Sequence, residues 1–221
     1  MRLQGVGSDR QEMHGRVWDR GSLVEIGEAI LLALVAVATA WTGYQAARWD
    51  GESAKLYGTS SRIRIEATQA DTHGGQEQLY DASTFSFWLE ARLKGETKLA
   101  AEYEGRFRPE YRPAFQAWLA THPFTNPDAP AGPMLMPQYR NGELEQAARL
   151  NTQASGVFAQ GADARATGDK YVRATVLLAT VLFLLAVSQR FRHFRVRVGL
   201  LCVAVVILAY AIGTIATYPR F

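Results

Sequence analysis

The chain has 221 residues, a formal net charge of +3 and a single cysteine. This length allows one or two domains, and one cysteine excludes an intrachain disulfide and a cysteine-based metal site. The mean hydropathy of −0.10 is typical of a soluble protein, but that average conceals three uncharged apolar segments. The fold class therefore has to be decided segment by segment.

The three apolar segments predict transmembrane helices. A bilayer core is about 30 Å thick and needs roughly 20 mostly apolar residues in a helix. Segment 29–47 reads AILLALVAVATAWTGYQAA and segment 198–217 reads VGLLCVAVVILAYAIGTIAT. Segment 174–188, ATVLLATVLFLLAVS, is long enough once the three preceding residues are included. We predict an all-α integral membrane protein whose transmembrane helices are 23–47, 171–188 and 198–217.

The first apolar segment has to be distinguished from a cleaved signal peptide. Ala38-Thr39-Ala40 resembles a signal-peptidase site, but 28 residues precede the apolar segment, and they contain acids among the arginines. Ser22 and Glu25 fit a capping box at a helix start. We predict a retained helix.

Segment 189–197 joins the second and third predicted helices and sets the orientation. Short loops rich in arginine face the cytoplasm, so we predict that this loop and the tail 1–22 lie on the cytoplasmic side of a bacterial inner membrane. The domain 48–170 and the tail 218–221 are then external. The loop arginines are Arg190, Arg192, Arg195 and Arg197.

The basic balance of the chain follows from this topology. Residues 50–170 hold 13 basic and 16 acidic residues, and the rest of the chain carries the positive excess. We expect the arginine loop to contact anionic lipid headgroups. We do not expect nucleic acid as a partner, since a membrane-tethered turn reaches too few phosphates.

The external domain is predicted to be a helical hairpin or small bundle. Its composition favours helix before and after the connector 122–138, which contains five of the eight prolines and is expected to be extended and partly polyproline. Gly74-Gly75 is expected to break or bend the first helix, and Gly95 to end it. From about Gln138 a helix is predicted to continue into the second transmembrane helix.

Nine aromatic residues crowd one part of this domain. We interpret them as a core that holds the short helices, because a small helical domain needs large side chains to fold. The alternative is an apolar ligand pocket. They are Tyr80, Phe85, Phe87, Trp88, Tyr103, Phe107, Tyr111, Phe115 and Trp118.

Small residues recur along the first transmembrane helix with spacing 4-3-4-3-4. Such a stripe lets another helix approach closely. We favour packing within the chain, and the alternative is homo-oligomerisation around a pore. The six residues are Ala29, Ala33, Ala36, Ala40, Gly43 and Ala47.

Glu25 and Glu28 lie at the cytoplasmic end of the same helix. Acids at a helix N-terminus complement the helix dipole, and that is the interpretation we favour. Buried against a neighbouring helix, they would be candidates for ion or proton binding. The four histidines lack metal-ligand spacing, and the sequence contains no Gly-rich phosphate loop and no nucleophile turn. We therefore predict no enzyme, no metal site and no cofactor.

The stretches ALVAVATAWTGYQAARWDG and RFRPEYRPAFQAWLATHPFTNPDAP carry a resemblance to uncharacterised bacterial inner-membrane proteins. These have one N-terminal transmembrane helix, a helical external domain and a C-terminal transmembrane hairpin. The resemblance covers nearly the whole chain and implies an architecture without an activity or site residues. We expect a structural or accessory subunit, as a homo-oligomer or in a larger membrane complex. The alternative is an oligomeric channel or transporter component, and a membrane sensor is a weaker third possibility.

Overall fold

A computed structural model describes the backbone of residues 20–191 and 193–221, and the side chains from residue 25 onward except that of residue 192. All regular structure in these residues is helical, which confirms the predicted all-α class. The helices are α1 (Arg20–Leu93), α2 (Thr97–Gly105), α3 (Arg112–Ala120), a 3₁₀ turn (Pro133–Leu135), α4 (Gly142–Ser188) and α5 (Phe194–Ala216).

Among the described residues, α1, α4 and α5 are each long and apolar enough to cross a membrane. The chain is thus built as a multi-pass membrane protein. Predictions on the tail before residue 20, on the Ser22 side chain and on Arg192 lie outside the described residues.

The chain divides into two compact units. Unit 2 is Asp50–Arg165, and unit 1 comprises Ala166–Phe221 and the residues before Asp50. Helices α1 and α4 contribute residues to both units, because neither is interrupted at the boundary.

In unit 2, α1 and α4 form an antiparallel pair with a seven-residue spacing of buried positions, the pattern of a coiled coil. Ser60 Oγ donates a buried 2.8 Å hydrogen bond to the carbonyl of Ala154. Most buried residues along this seam are small, which brings the two helices close together. The seven-residue series of buried positions is Ser53, Ser60, Ala67, Gly74, Asp81 and Trp88 on α1, and Ala147, Ala154 and Gly161 on α4; Ile63, Ala70, Thr84, Ala91 and Ala164 are buried as well.

The predicted break at Gly74-Gly75 is wrong, since α1 continues to Leu93. Gly74 lies where α4 approaches, and a Cβ added there would be 2.7 Å from Cγ of Leu144. The glycine therefore allows a close helix contact. Gly95, with φ of +78°, follows the end of α1 as predicted.

Helices α2 and α3, the connector 122–138 and the adjoining residues of α1 form a cap with an aromatic core. The core interpretation is confirmed for the five most buried of the nine aromatic residues, whereas Tyr80 and Phe87 are exposed. The buried five are Trp88, Phe107, Tyr111, Phe115 and Trp118.

The connector is not extended as predicted. It consists of turns and the 3₁₀ turn, folded against the cap core, to which Met134 and Met136 contribute. Trp118 Nε1 donates a 2.6 Å hydrogen bond to the carbonyl of Pro130. That bond holds the turns against the cap core. The prediction of extended backbone was wrong because the fixed φ of proline favours turns as readily as extended backbone.

Unit 1 has an aliphatic core. It is built from Val35 on α1, three residues of α4 and two alanines of α5: Leu178, Val181, Leu185, Ala204 and Ala211. The side chains on its outer surface are also largely apolar, as in a bundle surrounded by lipid.

The preferred interpretation of the small-residue stripe, packing within the chain, is wrong. Five of the six residues are exposed and Gly43 is half-buried; the exposed residues are Ala29, Ala33, Ala36, Ala40 and Ala47. The face of α1 that packs in unit 1 carries Val35, Thr42 and Ala46 instead. The spacing identified a stripe of small residues on one face of α1, but it did not show whether that face packs against another helix of the chain.

Candidate functional site

The described residues contain two buried clusters of charged and polar side chains, one in each unit. In unit 2, Asp81 of α1 has a fully buried side chain. Arg108, in the loop after α2, donates from Nε to Oδ1 (3.0 Å) and from Nη2 to Oδ2 (2.9 Å). This two-point geometry is the strongest arginine–carboxylate arrangement.

Two further side chains complete the Asp81 cluster. The hydroxyl of Tyr139, three residues before α4, donates to Oδ2 of Asp81 at 3.1 Å. Arg108 Nη1 also lies 2.8 Å from a carboxylate oxygen of Glu77. The cluster therefore joins three segments: α1, the α2–α3 loop and the residues between the connector and α4.

Burial and contact with Asp81 raise the pKa of three groups in and around the Asp81 cluster. The hydrogen bond with Asp81 holds the pKa of Arg108 above its usual value. Burial and the nearby Asp81 charge raise the pKa of Tyr139 and of Tyr111. Both phenols therefore stay protonated well above neutral pH. The Tyr111 hydroxyl is buried and has no hydrogen-bond partner among the described residues.

Asn141 fastens the start of α4 beside this cluster. Its Oδ1 accepts a 3.0 Å hydrogen bond from the N–H of Leu144, as expected for a helix N-cap. Its Nδ2 donates a 2.9 Å hydrogen bond to the carbonyl of Gly74 on α1. The cap is thus fixed to the helix pair by the Asp81 cluster and by Asn141.

A groove lies on one side of α2, between α2, the end of α1 and the turn after α3. Its volume is about 450 Å³. Trp88 and Phe124 supply aromatic surface, and Arg92 and Glu104 supply charge.

An aromatic strip lies on another face of α2. Phe87 stacks on Tyr103 with ring centroids 5.5 Å apart, and the guanidinium of Arg106 lies 5.7 Å from the Tyr103 ring centroid. The Tyr80 hydroxyl donates to the carbonyl of Arg106 at 3.1 Å. We call these four residues the aromatic strip.

In unit 1, the buried carboxylate of Glu28 forms an ion pair with the partly exposed Arg197. Arg197 donates from Nε to Oε1 at 2.8 Å and from Nη2 to Oε2 at 2.6 Å, and Glu28 is only 4% exposed. The structure thus joins one candidate ion-binding residue to one loop arginine. Glu25 is exposed.

Among the described loop arginines, Arg190 and Arg195 do not join this pair. Because α5 begins at Phe194, Arg195 and Arg197 belong to its first turn. Arg190 and Arg195 are exposed, as lipid contact requires.

Buried polar groups also link the helices of unit 1. Thr175 Oγ1 donates to Thr42 Oγ1 at 3.0 Å. The Tyr171 hydroxyl donates to the carbonyl of Pro219 at 3.1 Å, and the Phe221 N–H donates to Gln45 Oε1 at 3.1 Å. The segment after α5 therefore lies against α1 and α4.

Comparisons of the chain with protein-family models, with curated proteins and with solved structures find no match.

Sequence reasoning missed the Asp81 cluster and Asn141. Asp81 continues the seven-residue series of Ser60, Ala67 and Gly74, so it is a charged residue in a row of buried small ones. Such a residue needs a buried partner. That signal was available, although the sequence does not say that the partner is Arg108.

Proposed function

We propose that this chain is a membrane-anchored interaction protein, a scaffold or accessory subunit whose cap binds a partner protein of a larger membrane complex. The supporting observation is the aromatic strip. Its two α1 residues remain substantially exposed, Tyr80 at 46% and Phe87 at 51%, although the cap has an aromatic core that could have enclosed them.

The composition of the aromatic strip fits a protein interface. Tyrosine, phenylalanine and arginine are enriched at interfaces, and tyrosine and arginine among the residues that dominate binding energy. Internal contacts already hold the strip in one conformation. Binding therefore orders few additional side chains, which lowers its entropic cost.

In this proposal unit 2 lies outside a bacterial inner membrane, with the N-terminus and the arginine loop in the cytoplasm. The support is the positive-inside rule applied to Arg190, Arg195 and Arg197. The two exposed arginines contact anionic headgroups. The proposal requires no catalytic activity and no cofactor.

An oligomeric channel or transporter component is the second candidate. One observation favours it: the small-residue stripe is exposed, so it remains open to a second copy. Glu28 would not be a free ion ligand in such an assembly, because Arg197 holds both of its oxygens.

The proposal is tested by site-specific photo-cross-linking in native membranes. A photoreactive residue replaces Phe87 in the strip, and the matched control replaces Thr68, an exposed polar residue of the same helix. We expect an adduct with a different protein from position 87 and none from position 68.

Adducts only between copies of the chain would transfer support to the oligomer. The same adducts from both positions, or none from position 87 in correctly inserted protein, would refute the interaction proposal. Replacing Tyr80 and Phe87 together with alanine should also abolish co-purification of the partner.

A further inference from the structure

Helix α5 contributes few buried side chains to unit 1. Its buried residues, among those described, are Ala204 and Ala211, and 11% of its most apolar stretch is buried, compared with 33% in α4. Lipid tails are themselves apolar, so apolar packing gives α5 little preference for α1 and α4 over lipid. The polar contacts at the two ends of α5 therefore do much to hold it in place. At its first turn, this contact is the Glu28–Arg197 ion pair.

Residues 218–221, which we call the strap, hold the other end of α5. The Tyr171 hydroxyl of α4 donates to the carbonyl of Pro219 at 3.1 Å, and the Phe221 N–H donates to Oε1 of Gln45 on α1 at 3.1 Å. Tyr171 is 0% exposed and Gln45 is 4% exposed, so the strap binds groups that lie inside the bundle. Without the strap these buried groups would lose their hydrogen bonds, which costs free energy. Both bonds therefore favour the bound strap.

The ring of Phe221 adds a contact that is only partly closed. The guanidinium of Arg48 lies 4.2 Å from the ring centroid, and the Trp49 ring meets it edge-to-face with centroids 5.2 Å apart. Phe221 nevertheless remains 49% exposed. The Nε1–H of Trp49 is buried and has no hydrogen-bond partner among the described residues, and a buried donor without an acceptor costs free energy. The bound strap thus combines favourable contacts with a cost, as expected for a contact that can open.

We propose that the strap is releasable and that its release lets α5 pivot. The bound strap holds the Ala216 end of α5 against α1 and α4. When the strap is released, that end separates from α1 and α4, while the Glu28–Arg197 pair still holds the first turn. Unit 1 therefore has two conformations, which differ in the position of one end of α5. This inference goes beyond the proposed function and does not depend on it. The strap site consists of Gln45, Arg48, Trp49 and Tyr171.

The test observes the strap and α5 separately, in the full chain in lipid nanodiscs. Fluorine NMR of 4-fluorophenylalanine at position 221 reports the strap, because the ring has a different environment beside Trp49 than in solvent.

Spin-label distances report the position of α5. One pair, Val172→Cys with Ala216→Cys, spans the end that the strap holds. The second pair, Ala186→Cys with Val198→Cys, spans the end at the ion pair. All four positions are exposed, and Cys202→Ser removes the native thiol from both samples.

Variants of the strap site shift the equilibrium. Gln45→Leu and Tyr171→Phe each remove one hydrogen bond of the strap and should raise the released fraction about fivefold. Their combination should show a second fluorine signal and a longer, broader 172–216 distance, with the 186–198 distance unchanged. Tyr44→Phe alters an exposed tyrosine of α1, so it is the matched control and should have no effect.

Phe221→Ala provides a second route to the released strap. It removes the ring contacts of a half-exposed residue without altering the buried groups, so it keeps the test decisive if a variant of Gln45 or Tyr171 does not fold. Spin labels should show the same lengthening of the 172–216 distance.

Three results would overturn the proposal. A second fluorine signal with an unchanged 172–216 distance would mean that the strap opens but does not hold α5. The absence of that signal in the double variant, together with an unchanged distance in Phe221→Ala, would mean that the strap is not releasable. Equal lengthening of both distances would mean that α5 detaches as a whole and does not pivot about its first turn.

Discussion

Both units contain a buried carboxylate on α1 that accepts hydrogen bonds from two nitrogens of one arginine. In unit 1 the pair is Glu28–Arg197, whose residues are 169 positions apart in sequence. In unit 2 it is Asp81–Arg108, with a separation of 27 positions. The same chemistry therefore closes a long loop in one unit and a short one in the other.

The surroundings of the two pairs differ more than their geometry. Asp81 also accepts a hydrogen bond from Tyr139, and Arg108 contacts Glu77, so the charge of this pair is shared by four side chains. Arg197 lies in the first turn of α5, at the end of an apolar helix. A long arginine side chain at such an end can extend to lipid headgroups.

This difference indicates that the two ion pairs have different structural roles. The other carboxylates near Arg108, those of Glu77 and Glu110, are more exposed than that of Asp81, so we expect the pair in unit 2, together with Asn141, to hold the cap to the helix pair. Arg197 lies at the end of an apolar helix, where the proposed topology lets its side chain extend to headgroups, so we expect the pair in unit 1 mainly to select which helices pack together. Variants of each unit test this distinction.

The largest expected effect is on unit 2. Asp81→Asn removes a fully buried countercharge and keeps one acceptor. The carboxylates of Glu77 and Glu110, at 2.8 and 3.9 Å from Nη1 of Arg108, remain near the arginine. We expect a loss of about 3 kcal/mol in the free energy of unfolding of unit 2. Hydrogen-exchange mass spectrometry over residues 77–141 measures it. Glu90→Gln is the matched control, since Glu90 pairs with Lys94 on the surface, and it should leave exchange unchanged. Equal protection in both variants would contradict a structural role for the Asp81 cluster.

Substitutions at the adjacent glycines Gly74 and Gly75 are expected to change stability by intermediate amounts and in opposite directions. Gly74→Ala places a Cβ 2.7 Å from Leu144 and should cost about 1–3 kcal/mol by overpacking. Gly75→Ala meets no described atom within 4 Å and should stabilise α1 by about 0.5–1 kcal/mol. Thermal unfolding of the two variants side by side provides the measurement. The close approach of α1 and α4 would be wrong if both substitutions stabilised the protein.

The smallest expected effect is on unit 1. Glu28→Gln, like Asp81→Asn, keeps one acceptor. In the proposed topology Arg197 can also extend to lipid headgroups, so we expect the loss of stability to be below that of Asp81→Asn. Unfolding in mixed detergent micelles measures it, with the exposed Glu25→Gln as control. A loss as large as that of Asp81→Asn would remove the distinction between the two pairs.

The helical class and the three apolar helices were predictable, because length and hydropathy decide them directly. Whether the small-residue stripe faces lipid or a neighbouring helix was not predictable. Lipid and a neighbouring helix both accept alanine, so spacing cannot tell which one faces Ala36 or Ala40. The face that does pack carries Thr42, whose partner Thr175 is 133 positions away.

The helix break predicted at Gly74 from local propensity was wrong because a distant contact decides this position. A glycine in a helix costs up to about 1 kcal/mol, which a close contact with a second helix can offset. The Asp81 cluster was only half predictable. The position of Asp81 in a buried row indicates that it needs a partner, but many arginines in the chain could have supplied one.

The seven-residue spacing of unit 2 restricts how the length of this protein can change. One extra residue between Ser60 and Gly74 would rotate every later residue of α1 by about 100°, which carries Asp81 away from Arg108 and Gly74 away from Leu144. Seven extra residues, matched by seven in α4, would restore each side chain to its original face. Related chains should therefore differ in length by whole coiled-coil repeats in this unit, whereas the connector turns can vary one residue at a time.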